Sequence, residues 1–272
     1  MIVLVTGCRS GFGKLIAHGA ARAGHTVYAG LRDLDTAAEL LEGAPGGIVP
    51  LALDVTSDEQ RQAAVTRILD EHGRIDALIN NAGIAIGGFV EQFDEDEVRQ
   101  VFDVNVFGAW ALTKLCLPGM RARGDGLILN VTSVAGRLAN PGLAIYAGSK
   151  FALEGITEGL RHEMRPFGVR VVLVEPGPYR TDIMSRNRRM VRAADERSPY
   201  ATYQAKLLAM LEKMEARLGD PQEVADLCVR LLDDPAPRLR YALGPTTAAR
   251  LGLKRFAPFG VTEAVMKRLL GI

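Results

Sequence analysis

Near its beginning the chain reads Val5-Thr6-Gly7-Cys8-Arg9-Ser10-Gly11-Phe12-Gly13, a glycine-rich turn between a short apolar run and an amphipathic stretch that starts near Lys14. In such a turn Gly7 allows the tight bend, Gly11 lets a pyrophosphate approach the backbone, and Gly13 lets the helix pack closely on the sheet. The helix N-terminus then offers N–H groups to phosphate oxygens. A glycine-rich turn is weak evidence alone, but its position after the first strand predicts a dinucleotide-binding site.

Short apolar runs recur along the first two thirds of the chain, and each is typical of a strand buried on both faces. Between them lie amphipathic stretches, such as Glu59–Glu71 and Asp94–Leu117, with apolar residues at helical spacing. This alternation predicts an α/β fold, a Rossmann-type doubly wound parallel sheet in a three-layer α/β/α arrangement, as a single domain over residues 1–272. The predicted strands are Ile2–Thr6, Thr26–Gly30, Ile48–Leu53, Ala77–Ile79, Leu127–Val131 and Val169–Val174.

The last third of the chain has a different character. Thr181–Leu218 is polar and contains a group of arginines: Arg186, Arg188, Arg189, Arg192 and Arg197. Because clefts in doubly wound sheets open at the carboxyl ends of the strands, we expect this insertion, about 181–218, to cover the cleft. Its arginines are more typical of a solvated face than of a substrate site. Gln222–Leu232 is predicted as a helix and Leu239–Leu243 as the last strand, followed by loop up to a short basic helix, Thr262–Leu270.

Charge and composition exclude several function classes. With 33 basic and 32 acidic residues among 272, the formal charge is +1, so no overall field recruits nucleic acid or an anionic membrane, and a small organic partner is expected. Cys8, Cys116 and Cys228 lack C-x-x-C spacing and the four histidines lack metal-site spacing, so we expect no metal. No apolar stretch reaches the roughly 18 residues of a membrane span, and the expected location is cytoplasmic.

The end of the second predicted strand bears on the choice of nucleotide. Sites for NAD often place Asp or Glu there, to accept hydrogen bonds from the adenosine ribose. This sequence has Leu31 at that position, and the planar guanidinium of Arg32 beside it suits a 2′-phosphate, with Arg9 as a second cation. NADP(H) is therefore favoured. NAD(H) stays possible, because Asp33 could reach the ribose and Arg32 could simply face solvent.

A second group of residues indicates proton transfer. Tyr146 and Lys150 stand four positions apart, so a helix would place them on one face. A free phenol, with a pKa of about 10, is a poor acid–base catalyst at neutral pH, and a fixed ammonium beside it would lower that pKa. Ser133, at the end of the fifth predicted strand, could donate a hydrogen bond to a substrate oxygen. Taken singly, the pair also fits a helix surface and Ser133 an ordinary loop hydroxyl.

Together these features resemble the short-chain dehydrogenase/reductase family, in its branch of single-domain enzymes. The matching elements run in order from the start of the chain to about Thr181 and are specific in combination: Thr6-Gly7-x-x-x-Gly11-x-Gly13, Asp54-Val55, Asn80-Asn81-Ala82-Gly83, Asn105, Ser133, Tyr146-x-x-x-Lys150, and Pro176-Gly177 followed by Thr181. The resemblance implies an NAD(P)-dependent oxidoreductase that interconverts an alcohol and a carbonyl compound.

The resemblance implies a role for each residue of the presumed catalytic set. Tyr146 would exchange a proton with the substrate oxygen. Lys150 would lower the pKa of that phenol and hold the nicotinamide ribose. Ser133 would orient the substrate, and Asn105 would anchor a water molecule in a proton relay. Asn105 alone would be an unremarkable polar residue inside a helix.

Around the cofactor, the resemblance implies contacts from several loops. The expected cofactor residues are Gly7, Arg9, Ser10, Gly11, Phe12, Gly13, Arg32, Asp54, Val55, Asn81, Ala82, Gly83, Tyr146, Lys150, Pro176, Gly177, Tyr179 and Thr181. Asp54 is suited to hydrogen-bonding adenine, or alternatively to capping the next helix. Tyr179 stands where the family commonly has a small aliphatic residue, and its ring is expected to extend into the substrate cleft. Ser10 stands where many NADP-preferring relatives carry a basic residue.

A looser resemblance, in Val27–Asp33 and in the tail after Tyr241–Gly244, is to hydroxysteroid and retinol dehydrogenases. It implies a bulky apolar alcohol or ketone as substrate. Helix faces around Asp94–Leu117 and Phe151–Met164 carry additional apolar residues, and since family relatives pair these helices, a homodimer or homotetramer is expected. The residues expected to line the substrate site are Ser133, Leu138, Leu143, Tyr146, Tyr179 and Met184.

Two other function classes stay open. Related epimerases use similar chemistry with a retained cofactor, although they usually have a different glycine spacing and a larger carboxyl-terminal domain. A dinucleotide-binding regulator without turnover is the third class, since a fold does not settle a function.

Overall fold

The computed structural model describes residues 1–182, 189–191, 197–215 and 218–270. The strands are β1 (Ile2–Thr6), β2 (Thr26–Leu31), β3 (Ile48–Ala52), β4 (Ala77–Asn80), β5 (Ile86–Gly87), β6 (Gly126–Val131), β7 (Val169–Pro176), β8 (Arg189–Met190) and β9 (Arg240–Leu243). The α-helices are α1 (Gly11–Arg22), α2 (Ala37–Leu41), α3 (Asp58–His72), α4 (Glu95–Phe102), α5 (Ala109–Arg123), α6 (Ala144–Met164), α7 (Ala201–Glu215), α8 (Gln222–Leu232), α9 (Thr247–Phe256) and α10 (Phe259–Leu270).

Among the described residues, seven parallel strands form one sheet in the order β3-β2-β1-β4-β6-β7-β9, and β5 pairs with β8 in a two-stranded sheet. Helices cover both faces of the large sheet. The predicted Rossmann-type fold and its single domain are confirmed. The predicted last strand is also confirmed, since β9 pairs with β7.

The core consists of two layers, one on each face of the sheet. Side chains in a strand alternate between faces, and β1 shows the consequence. Val3 and Val5 pack with residues of α1 and α8, whereas Leu4 packs with residues of α3 and α5. All three side chains are fully buried. This two-sided burial explains why the strands are continuous apolar runs rather than alternating patterns.

The order of the strands reverses beside β1. β2 and β3 lie on one side of it, and β4, β6, β7 and β9 lie on the other. In open α/β sheets ligands bind outside the carboxyl ends of the strands at such a switch point. Thr6 ends β1 and Asn80 ends β4, so the glycine loop and the Asn81-Ala82-Gly83 segment both start at this edge.

Two predictions of local structure are wrong. Asp94–Leu117 is not one regular amphipathic helix, because a π-helical segment, Asp103–Gly108, separates α4 from α5. The stretch before the last helix contains α9 and is not loop. Gly252 is tolerated inside α9, at a cost of about 1 kcal/mol relative to alanine. Pro245 and Pro258, which favour a loop in the sequence, flank this helix rather than interrupt it.

The described part of the 181–218 segment contains β8 and α7. Met184, Arg186, Arg188 and Arg192, which the sequence analysis singled out, lie outside the described residues. Within those residues, no helix combines the length and the apolar character needed to cross a membrane.

Candidate active site

The glycine loop has the geometry that a closely approaching ligand requires. Gly7 and Gly11 adopt φ values of +71° and +56°, in a region of backbone conformation that residues other than glycine rarely occupy. A Cβ atom on Gly13 would lie 2.2 Å from the carbonyl oxygen of Gly7 and 2.6 Å from Asn81 Nδ2. Gly13 is therefore required by the packing of the loop on its own helix and on the segment after β4.

Thr6 and Asn81 hold the two loops together. Thr6 Oγ1 accepts hydrogen bonds from the backbone N–H groups of Asn81 (3.0 Å) and Ala82 (2.9 Å). In return, Asn81 Nδ2 donates to the carbonyl oxygens of Thr6 (2.8 Å) and Gly7 (3.2 Å). These bonds fix the relative position of the two walls at the sheet's switch point.

The N-terminus of α1 suits a pyrophosphate. Its first turn reads Gly11-Phe12-Gly13-Lys14 and so contains no carboxylate. The first N–H groups of a helix have no intrahelical partner and carry partial positive charge. The cradle left by the missing Cβ atoms and this electropositive helix end together fit the diphosphate of a dinucleotide.

A cleft of about 1240 Å³ opens at this edge of the sheet. It is large enough for a dinucleotide and a small organic substrate together. Most of the expected cofactor residues line it: Gly7, Arg9, Ser10, Gly11, Phe12, Arg32, Asp54, Val55, Asn81, Ala82, Gly83, Tyr146, Lys150 and Thr181. Ile84 and Val104 also line the cleft. The sequence analysis missed both, although they directly adjoin the matched residues Gly83 and Asn105.

At the end of β2, the exposed Arg32 lines the cleft. The carboxylate of Asp33 accepts a 2.9 Å hydrogen bond from the backbone N–H of Asp35 and so caps a short 3-10 helix. Arg9 Nε lies 3.6 Å from Glu39 Oε2 in a half-exposed ion pair. The end of β2 thus presents both Arg32 and Asp33 to the cleft, and Asp33 also has a structural use.

Asp54 forms a local turn. Its Oδ1 atom accepts hydrogen bonds from the backbone N–H of Thr56 (2.9 Å) and from Thr56 Oγ1 (2.7 Å). Ser57, not Asp54, caps α3, because Ser57 Oγ accepts a hydrogen bond from the backbone N–H of Gln60. The capping alternative considered for Asp54 is therefore wrong, although Asp54 does organise the turn that leads into α3.

Ser133, Tyr146 and Lys150 come together at the end of β6. Tyr146 lies in the first turn of α6, and Lys150 follows it on the same face of that helix. Ser133 Oγ accepts a 3.1 Å hydrogen bond from the backbone N–H of Ala135, which fixes its side chain. Ser133 also lies close enough to Tyr146 to act against the rise in the pKa of its phenol. Lys150 Nζ donates a 3.2 Å hydrogen bond to the carbonyl oxygen of Val131 and lies 5.9 Å from the centre of the Tyr146 ring.

Burial governs the proton affinities of this pair. It raises the pKa of the Tyr146 phenol, and the hydrogen bond with Ser133 acts in the opposite direction. It lowers the pKa of Lys150 to about 8, against the effect of the nearby Glu154 charge. The net direction at Tyr146 is opposite to the lowering expected from Lys150, because the loss of solvation of a buried phenolate is the larger effect in the protein alone.

Asn105 is buried in the π-helical segment between α4 and α5. Its Oδ1 accepts a 2.8 Å hydrogen bond from the backbone N–H of Ile84, and its Nδ2 donates to Ile84 O (2.9 Å) and to Ser149 Oγ (3.0 Å). A Cβ atom on Gly83 would lie 3.3 Å from Asn105 Oδ1 and 3.5 Å from Lys150 Nζ. Asn105 thus lies beside Lys150, with the bare backbone of Gly83 between them.

The matched family model, described as short chain dehydrogenase, covers residues 1–192 of this chain. The chain belongs to the short-chain dehydrogenase family. The recognition made from the sequence motifs is confirmed, and with it the assignment of the protein to the oxidoreductases of that family.

Similar proteins agree with this assignment. An uncharacterized oxidoreductase, YusZ, of Bacillus subtilis is 40% identical, over 99% of this chain and 98% of its own length. The human 17-beta-hydroxysteroid dehydrogenase type 1 is 37% identical, over 88% of this chain and 76% of its own length. The crystal structure of a short-chain dehydrogenase from Streptomyces avermitilis superposes with a TM-score of 0.82 at 34% identity, covering 98% of this chain and 94% of that one.

In this short-chain dehydrogenase, Tyr179 does not extend into the cleft as expected. Its side chain is buried in the core, where the ring packs edge-on against Phe12 at 5.7 Å and the hydroxyl donates a 2.9 Å hydrogen bond to Glu223 Oε2. Gly219 and Gly244 make room for the ring, since a Cβ atom on either would lie within 3 Å of it. The sequence showed an unusual residue at this position but not the two glycines that accept it.

Two further expected cofactor residues, Pro176 and Gly177, lie at the carboxyl end of β7. Ser133 Oγ donates a 3.4 Å hydrogen bond to the carbonyl oxygen of Pro176, and the backbone N–H of Gly177 donates to Leu243 O at 2.8 Å. Both Leu138 and Leu143 are half-buried in the loop between Ser133 and α6. Thr181 lies next to Gly11, since a Cβ atom on Gly11 would lie 3.6 Å from the Thr181 side chain. Met184 lies outside the described residues.

Near Tyr146 and Lys150 lies a buried ionic network that the sequence analysis missed. Glu154 Oε2 lies 3.1 Å and Glu175 Oε1 lies 3.2 Å from Arg240 Nε. Arg137 Nη1 donates a 3.1 Å hydrogen bond to Glu175 Oε2. One signal was available: Glu154 follows Lys150 by four positions, so the helix places a carboxylate next to the lysine on the same face. Within the described residues there is no cluster of side chains able to hold a metal ion.

Proposed function

We propose that this short-chain dehydrogenase is an NADP(H)-dependent oxidoreductase that interconverts a secondary alcohol and a ketone. The observation that carries the proposal is that Tyr146 and Lys150 line the same cleft as the glycine loop, with Ser133 and Asn105 close to them. Each residue alone fits an ordinary structural role. A half-buried phenol next to a buried lysine, in a cleft with a phosphate cradle, is costly to fold and is typical of a catalytic site.

The chain's own residues fit a bound dinucleotide. The glycine loop and the N-terminus of α1 would hold the pyrophosphate, Asn81-Ala82-Gly83 would line the cleft, and Asp54 and Val55 would lie at the adenine end. Pro176, Gly177 and Thr181, with the backbone N–H of Tyr179, would hold the carboxamide end. When bound, the nicotinamide supplies or accepts the hydride. Lys150 would also hold the nicotinamide ribose.

Tyr146 gives its proton to the carbonyl oxygen during reduction and takes the hydroxyl proton during oxidation. Burial keeps the phenol protonated at neutral pH, which is the form that reduction needs. As the proton leaves, the Lys150 ammonium and the positive end of α6 stabilise the phenolate. Since the pKa of Lys150 is about 8, this side chain is mostly charged at neutral pH.

Ser133 orients the carbonyl group by hydrogen bonding to its oxygen, and its own position is fixed by the hydrogen bond from the backbone N–H of Ala135. Asn105 supports the relay that returns a proton to Tyr146. Its amide holds the Ile84 backbone and Ser149 around Lys150, so a water molecule bound in the π-helical turn would lie next to the lysine.

The preference for NADP(H) rests on Arg32. This side chain is exposed, lines the cleft at the end of β2 and offers a planar fork that suits a phosphate group. Asp33, the alternative ribose ligand, already accepts a hydrogen bond from Asp35. NAD(H) would still fit the same cradle, with the loss of the contact between Arg32 and the 2′-phosphate.

A bulky apolar substrate is supported by apolar contacts of the 181–218 segment and by the relatives. Thr181, Asp182, Arg189 and Met190 of the 181–218 segment line the cleft. Further along this segment, the rings of Tyr200 and Tyr203 stack on Phe89 at 4.6 and 5.0 Å. Leu207 of α7 contacts Gly142, in the loop that contains Leu138 and Leu143. A relative 37% identical to this chain is a hydroxysteroid dehydrogenase. We propose that this segment covers the substrate site within the single domain.

Exposed apolar side chains near α5 and α6 support the assembly of this protein into an oligomer. Phe107 and Trp110, at the start of the α5 region, and Phe151 and Ile156, on α6, are exposed large apolar side chains. Two copies could bury both helices against each other, and we propose a homodimer or homotetramer on this basis. The proposed cytoplasmic location rests instead on the free thiols of Cys8, Cys116 and Cys228.

The experiment that tests the proposal is a screen of reduced cofactor oxidation with steroid-like, retinoid-like and other bulky ketones. Wild type is expected to turn over at least one of them with NADPH, and Tyr146→Phe is expected to lose turnover while it still binds NADPH. Tyr241→Phe, a change on β9 away from the cleft, serves as the matched control and should keep activity. Equal turnover by wild type and Tyr146→Phe on every active ketone would contradict the proposal.

A further inference from the structure

The α9–α10 tip, which we define as residues 253–268, exposes apolar side chains at an unusual density. Phe256 and Phe259 flank the turn between the two helices and are 81% and 82% exposed. Leu253, Val261 and Val265 are also exposed. Singly exposed apolar residues are normal on a protein surface, but a group of five within one helical hairpin indicates a surface that contacts something else.

The same region carries a concentrated positive charge. From Pro245 to the end of the chain there are five basic residues and one acidic residue, Glu263, whereas the first 244 residues contain 28 basic and 31 acidic ones. The overall charge of +1 is therefore the sum of a small negative net charge over the first 244 residues and a positive net charge over the remaining ones. Lys254, Arg255, Lys267 and Arg268 are all exposed on the hairpin. The tip thus produces a local positive potential, although the net charge of the whole chain is close to zero.

The tip adjoins the proposed substrate site. The ammonium group of Lys254 hydrogen-bonds to the carbonyl oxygen of Arg137, and Arg250 Nη2 lies 3.4 Å from Asn140 Oδ1. Both partners belong to the loop between Ser133 and α6, which also contains Leu138 and Leu143. α10 packs against both α9 and α7. A surface that captures apolar molecules at this tip would hold them next to the cleft.

The positive charge of the tip indicates which kind of partner it can bind. A second copy of this chain bound through the same face would bring two clusters of like charge together, which is unfavourable. Aromatic side chains at a protruding turn, with Lys and Arg around them, match an anionic lipid surface instead, because the rings enter the interface and the cations remain at the headgroups.

We propose that the α9–α10 tip docks this protein reversibly on an anionic lipid bilayer. Phe256 and Phe259 insert at the level of the headgroups, and Arg255, Lys267 and Arg268 bind the lipid phosphates and carboxylates. The docking does not depend on catalysis. If the substrate is apolar, as proposed above, it would reach the cleft from the bilayer rather than from water.

Sedimentation with vesicles tests this inference. Full-length protein is mixed with phosphatidylcholine vesicles that either contain or lack phosphatidylserine. The protein should bind the anionic vesicles at least about tenfold more tightly than the neutral ones, and added salt should weaken the binding. Phe256→Ser combined with Phe259→Ser, and separately Arg255→Gln with Lys267→Gln and Arg268→Gln, should each reduce binding by about tenfold or more.

Phe167→Ser is the matched control, because Phe167 is an exposed phenylalanine on a different part of the surface. This variant should bind vesicles like wild type. Light scattering of the same variants without lipid reports their oligomeric state. The inference is overturned if wild type does not prefer anionic vesicles, if the phenylalanine variant binds as wild type does, or if that variant only dissociates an oligomer without a change in vesicle binding.

Discussion

Thr132 Oγ1 donates a 2.6 Å hydrogen bond to Glu154 Oε1. Thr132 directly precedes Ser133, and Glu154 lies one helical turn beyond Lys150, so this bond joins the strand end and the helix that carry the proposed catalytic groups. The charge of Glu154 also raises the pKa of Lys150, against the opposite effect of burial. The proton chemistry proposed for Tyr146 would therefore depend on a buried carboxylate that the family motif does not include.

The rate of ketone reduction is expected to fall as the pH rises through about 8, because burial lowers the pKa of Lys150 to about 8. Below this pH Lys150 is an ammonium and stabilises the phenolate that Tyr146 leaves behind. Above this pH it is a neutral amine and loses that effect. The measurement is kcat against pH at saturating NADPH. A rate that stays constant or rises through this range would contradict the role of Lys150.

Glu154→Gln should move this alkaline limb to lower pH, since the substitution removes the negative charge that supports the Lys150 ammonium. Glu158→Gln is the matched control. Glu158 also pairs with Arg240, at 2.7 Å, but it is half-exposed and one turn further from Lys150. If Glu154 had only a structural role, its variant would lose activity at every pH without a shift of the limb.

Gly13→Ala should destabilise the protein by about 3 kcal/mol and weaken cofactor binding, because the new methyl group would collide with the backbone of Gly7 and with Asn81. Gly155→Ala provides the comparison. Gly155 lies inside α6 with open space around its Cβ position, so alanine there should stabilise the protein by about 0.5 to 1 kcal/mol. Denaturant unfolding measures both effects, and similar stabilities for the two variants would refute the packing argument.

Arg32→Gln should raise the KM for NADPH by about tenfold while the KM for NADH stays near its wild-type value, since a charge-assisted bond to the 2′-phosphate is lost. Arg22→Gln, a change at the exposed C-terminal end of α1, should alter neither KM. Steady-state kinetics with the two cofactors measure the ratio. An equal rise of both KM values in Arg32→Gln would show that Arg32 does not select the phosphate.

Much of the fold could be predicted from the sequence. A parallel strand buried on both faces has to be apolar throughout, and runs such as Ile2–Thr6 are therefore visible without a structure. The motif Tyr146-x-x-x-Lys150 was equally readable, because the helical repeat fixes which residues share a face. The element boundaries that failed, at Asp103–Gly108 and in α9, depend on hydrogen-bond patterns and packing that local composition does not encode.

The positions of single side chains were harder to predict. Tyr179 was expected in the cleft, yet its ring lies in the core because Gly219 and Gly244, far along the chain, make room for it. The ion pairs of Arg240 with Glu154 and Glu175 could not be predicted for a related reason, because they form only once β9 pairs with β7. Contacts between distant parts of the sequence need the topology before they can be inferred.

The central claim, hydride transfer between a nicotinamide and a ketone, is tested most directly with NADPH that carries deuterium at the transferable position of the nicotinamide ring. On an active ketone, the account predicts an alcohol product with deuterium at its carbinol carbon, and no labelled product from Tyr146→Phe. An unlabelled alcohol, or a product that forms while the NADPH label is fully retained, would contradict it.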